Sequence, residues 1–116
     1  MNVPKSNVIN INDYKSNRNQ SILTTIILFF NEFFTKKTKG NDQLKTKIIN
    51  DFNELRYYLD SDTTDFISVV RTKLNTCFLE HYKCFENNVD FLITCEGLDE
   101  YLACEIKENK NENVLH

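Results

Sequence analysis

Cys77, His81 and Cys84 follow one another at intervals of four and three residues in a segment with helical spacing, so a helix would turn all three the same way. Thiolate and imidazole are good zinc ligands, and Cys95 or Cys104 would complete a tetrahedron. The same positions continue an apolar stripe through Leu74 and Phe78, where a buried thiol packs as a small hydrophobe. No CxxC pair accompanies them. Packing is the expected role, with Cys77, His81 and Cys84 kept as weak metal candidates and no cofactor expected.

A thiol beside His81, from Cys77 or Cys84, would place a nucleophile and a base on adjacent helical turns. The chain supplies no Gly-rich phosphate loop and no evident oxyanion donors to go with them. The carboxylate pairs Asp51/Glu54 and Asp99/Glu100 fall on polar helical faces and read as solvated charge, and His116 ends the sequence. The expectation is a protein that is not an enzyme and has no small-molecule substrate.

Charge is more informative. The net charge of −3 divides unevenly: residues 1–59 carry nine Lys/Arg against five Asp/Glu, and residues 60–116 carry five against twelve, giving +4 and −7. Lys36, Lys37, Lys39, Lys45 and Lys47 gather around one loop, while Glu86, Asp90, Glu96, Asp99, Glu100, Glu105 and Glu108 crowd one segment. Opposed patches of this kind steer and orient an encounter, although solvated helix faces also segregate charge. The tyrosines at 57, 58, 82 and 101 fall at stripe edges, where Tyr often anchors interfaces. Tyr57, Tyr58 and Tyr82 with Glu96, Asp99 and Glu100 therefore form the expected partner-binding set. The partner would be another protein or a second copy in a homodimer.

The alternative is a DNA-binding regulator, with the five lysines on phosphates and Tyr57 and Tyr58 stacking on bases. An acidic chain with only three Arg is poorly supplied for reading base edges.

The elements that must position these residues follow from composition and period. A chain of 116 residues with 41% apolar content suits one domain with one core. Two Gly and one Pro are too few for the tight turns of an all-β fold. Residues 1–19 read as a flexible tail, 20–108 as the domain and 109–116 as a second tail. The first helix, about 21–37, has Ser21 as N-cap and an apolar face of Ile22, Ile26, Phe29, Phe30, Phe33 and Phe34. Its core ILTTIILFFNEFF is too short to span a membrane and is broken by Asn31 and Glu32, so it is expected at the centre of the bundle.

The second helix, about Asp42 to Leu59, carries the stripe Leu44, Ile48, Phe52, Leu55 and Leu59. The third, about Thr63 to Glu86, opens on Asp62 as N-cap with Asp65 in a loose capping box. Its stripe is Phe66, Val70, Leu74, Cys77, Phe78, His81 and Phe85. The fourth segment, Val89 to Glu108, favours a helix with Phe91, Cys95, Leu98, Leu102 and Ile106 on one side. The competing reading is a β-hairpin at about 90–107 with Gly97 near its turn.

The expected fold is thus an all-α, small antiparallel helical bundle of three to four helices, with three helices plus a C-terminal hairpin as the α+β alternative. Four thiols without a signal-peptide pattern point to a reducing, cytoplasmic setting. Abundant Asn, Lys, Ile, Phe and Tyr match AT-rich codons, as in a low-GC bacterium, its phage or plasmid, or a virus. Together these readings give a non-enzymatic protein-binding module, a small regulator or inhibitor of viral, phage or mobile-element origin.

Overall fold

The computed structural model describes the backbone of residues 11–36, 41–86 and 88–115, and side chains within 15–36, 41–86 and 88–109. Four helices follow one another: α1 (Ile11–Lys36), α2 (Asp42–Asn53), α3 (Thr63–His81) and α4 (Asn88–Leu115). Short 3₁₀ segments extend α2 through Glu54–Tyr58 and α3 through Tyr82–Cys84. The fold is an all-α bundle with no strand among the described residues. Residues 88–115 form one uninterrupted helix, so the hairpin alternative is not adopted and Gly97 lies in mid-helix. An isolated glycine lowers helix stability by only about 1 kcal/mol, and burial of Phe91, Cys95, Leu98 and Leu102 on one side of α4 outweighs that.

α4 runs antiparallel to both α1 and α3, which therefore run parallel to each other. Arg18 of α1 meets Glu105 of α4 near one end, and Phe33 meets Phe91 near the other. Arg71 of α3 meets Asp99 of α4, and Phe78 stacks on Phe91. α1 and α3 each touch the other three helices, whereas α2 and α4 stand on opposite sides. The helix expected at the centre of the bundle therefore lies there, and α3 shares that place.

Each stripe supplies the core. Ile22, Ile26, Phe30, Phe33 and Phe34 come from α1, Ile48 and Phe52 from α2, and Phe66, Val70, Leu74 and Cys77 from α3. Phe29 departs from the expected face: it is 47% exposed, and Leu23 is buried instead. Phe91 lies at the aromatic centre, its ring 4.4 Å from Phe85, 5.6 Å from Phe33, 5.8 Å from Phe78 and 6.4 Å from Phe30, centroid to centroid.

Helix ends differ from the periodic reading. α1 begins at Ile11, not Ser21, so the expected N-terminal tail is helical from there on, and residues 1–10 lie outside the described residues. The polar first turns are held by tertiary bonds. Asn19, wholly buried, donates from Nδ2 to the carbonyls of Leu59 and Ser61 at 2.8 Å each. Arg18 donates to Glu105 at 3.0 Å. Ser21 sits inside the helix, where its carbonyl accepts from Thr25 Oγ1.

At the other end, the stretch expected to be a tail from residue 109 continues α4 to Leu115, and Asn109 donates to Thr64 Oγ1 at 3.0 Å. α3 stops at His81, five residues short of the expected Glu86. The chain tightens to 3₁₀ and then extends at Phe85 (φ −103°, ψ 134°), which buries that ring against Phe33, Phe34 and Phe91. Asp62 is the N-cap of α3 through its carbonyl, which accepts from Phe66 N at 2.8 Å. Its side chain makes no cap bond and lies 3.7 Å from Lys15 Nζ.

Candidate functional site

Two open grooves flank α3, and Thr72 borders both. The first, about 700 Å³, lies between α3 and α4. Its lining comes from Arg71, Leu74 and Phe78 on one helix and Leu92, Cys95 and Asp99 on the other, each set repeating every three or four residues. One face of each helix therefore forms a wall. The floor is apolar and the rim is acidic. Glu96 and Glu100 are exposed, lie one turn apart and take part in no ion pair among the described residues. Arg71, the one cation of this rim, bonds Asp99 with both Nε and Nη2, and hydrogen bonding to Asp99 raises its pKa above the ordinary value.

The second groove, about 730 Å³, lies between the 3₁₀ segment after α2 and the opposite flank of α3. Tyr57 and Tyr58 line it together with Val69 and Lys73. Tightening after Asn53 turns Leu55 inward to 3% exposure and leaves Tyr57 89% exposed and Tyr58 49% exposed. Rings held out in water on a short, packed segment are ready contact surface.

Five of the six residues expected to bind a partner, Tyr57, Tyr58, Glu96, Asp99 and Glu100, thus line this pair of grooves. Tyr82 lines neither; it stacks on Phe78, a residue of the first groove, at 5.2 Å and 14°. The sequence reading missed Arg71, Thr72, Leu74, Phe78 and Leu92, because a groove is a relation between helices and leaves no trace in the period of either. Arg71 alone carried a signal, being the only arginine in the second half of the chain.

No family model, curated protein or solved structure matches the chain.

The other candidates lie elsewhere. Cys77 and His81 are buried on α3, but Cys84 falls beyond the helix end and is exposed, so the expected alignment of three is broken. Among the described residues no three His, Cys, Asp or Glu side chains stand close enough to hold a metal ion. Burial, with Cys95 nearby as a lesser cause, pushes the Cys77 thiol up to about 12, and burial does the same for Cys95. Both are held as thiols at neutral pH, the unreactive form. Cys104 is exposed on α4, so only two of the four cysteines pack in the core.

Of the five lysines proposed for DNA, Lys37 and Lys39 lie outside the described residues. Lys36 bonds Glu32 at 3.0 Å, Lys47 bonds Asp51 at 3.4 Å, and Lys45 is half-buried. Two of the three described lysines thus face a carboxylate on their own helix before any phosphate arrives. No helix among the described residues is long and apolar enough to cross a membrane.

Proposed function

We propose that this chain is a non-enzymatic protein-binding module, a small regulator or inhibitor that captures another protein across the two grooves beside α3. The observation that supports this most directly is the border they share at Thr72, with exposed tyrosines on one side and unpaired carboxylates on the other. Amphipathic rings and an apolar groove with a charged rim are common features of recognition surfaces. Two adjoining grooves offer more contact than either alone, and a specific interface needs about 800 Å² from each partner.

The test is affinity capture from the native host with three baits: the unmodified chain, Tyr57→Ala/Tyr58→Ala and Glu96→Lys/Glu100→Lys. All four positions are exposed, so the variants should keep the helical circular-dichroism spectrum of the parent. A protein retained by the parent and lost from either variant identifies the partner. If every captured protein is held equally by all three baits, the reading is wrong.

A further inference from the structure

We propose that the groove between α3 and α4 receives a cationic amphipathic helix of the partner protein; this rests on the protein-binding reading above and names the chemistry of the segment bound. The first argument is shape. The walls run from Arg71 to Phe78 on α3 and from Leu92 to Asp99 on α4, two turns or roughly 10 Å of antiparallel helix pair. Such a trough accepts the ridge of a third helix, the usual way an apolar helical face is recognised. Phe78 and Leu92 provide the apolar contact over a floor that includes the buried Leu74, and Leu92 keeps 37% of its surface exposed.

The second argument is charge. The rim carries Glu96, Asp99 and Glu100 against Arg71 alone, and Arg71 is already taken by Asp99. Glu96 and Glu100 are left one helical turn apart, so they match two Lys or Arg residues at the same separation beside a Leu-type stripe. Phosphate-bearing partners, whether nucleic acid or anionic membrane, would meet repulsion there.

A second copy fits less well. α2, where Lys45 and Lys47 are balanced by Asp42 and Asp51 and Lys47 bonds Asp51, is not a cationic helix and already buries Ile48 and Phe52 in its own core.

The experiment uses the full chain and a fluorescein-labelled model peptide of about 14 residues, four helical turns with Leu on one face and Lys on the other. Two control peptides accompany it: one of the same composition with the Leu residues scattered around the helix, and one with Glu replacing Lys. Anisotropy should show binding of the first peptide alone, weakened by added salt. Glu96→Gln/Glu100→Gln should weaken it about tenfold, the worth of two partly exposed ion pairs. Leu92→Asp should weaken it further, whereas Leu28→Ala, at an exposed residue of α1 that lines neither groove, should leave it unchanged.

Equal binding of the scattered peptide, or an unchanged affinity for the Gln variant, overturns the proposal. Self-association in sedimentation velocity that the Gln variant abolishes also overturns it, in favour of a second copy. The two readings fail separately. A host protein lost with the tyrosines but kept by the Gln variant leaves the protein-binding module standing and removes the cationic helix.

Discussion

Arg71 and Asp99 join α3 to α4 through two parallel hydrogen bonds, Nε to Oδ1 at 2.8 Å and Nη2 to Oδ2 at 3.0 Å. Both side chains are more than a third exposed, so water screens the pair and its worth is about 1 kcal/mol or less. A double-mutant cycle of Arg71→Ala and Asp99→Ala, followed by urea denaturation, should return a coupling of that size. Arg71→Ala alone also leaves Asp99 as a third unpaired carboxylate on the groove rim. A cationic peptide should bind that variant more tightly than the parent, and weaker binding would count against the electrostatic account.

Gly97 lies in the middle of α4, and a methyl group added there would meet no atom within 4 Å. Gly97→Ala should therefore stabilise the protein by about 0.5–1 kcal/mol, the entropic cost that glycine carries in a helix. Thermal denaturation checks it. A lowered midpoint would show that this segment is not helical at residue 97.

Phe91→Ala removes a wholly buried ring that touches four other phenylalanines. The expected loss is about 3–5 kcal/mol, a large share of the ~5–15 kcal/mol available to a domain of ordinary stability. Phe29→Ala, at a half-exposed ring on α1, should cost far less. Urea midpoints of the two variants should differ accordingly.

The four cysteines should separate into two classes. At pH 8 in the native state, Cys84 and Cys104 should react with a thiol reagent, and Cys77 and Cys95 should react only after denaturant is added. The same burial sets a pH dependence. A thiol whose pKa rises from 9 to about 12 on folding holds its proton in the folded state after the unfolded chain has lost it. Its stabilising contribution is complete below pH 9 and is lost as pH rises from there towards 12, at up to about 1.4 kcal/mol per pH unit for each thiol. Tyr101, whose pKa burial also raises, adds to the same trend. Urea midpoints should decline above pH 9, and less steeply in Cys77→Ala/Cys95→Ala.

Period was a good guide wherever one face of a helix had to be buried. Ile48, Phe52 and Leu55, or Phe66, Val70, Leu74 and Cys77, are spaced as the helix requires and are buried as that spacing implies. The failures share a cause. The early start of α1 depends on Asn19 reaching carbonyls forty residues away, and the early stop of α3 on Phe85 turning into an aromatic cluster built by α1 and α4. Neither partner is visible in the local sequence. The same holds for the candidate site. Tyr57 and Glu96 were legible as residue types at stripe edges, whereas the grooves they border exist only once α3 is set between the 3₁₀ segment and α4.

Thr72 gives this geometry a practical side. An exposed helical residue that borders two hollows is the ridge between them: a tryptophan in its place would crowd one of them while leaving the core untouched, with little change in stability. One codon would then separate a folded chain from one able to hold a partner. A loss of biological effect in such a chain would be attributable to occluded contact rather than to a failure to fold.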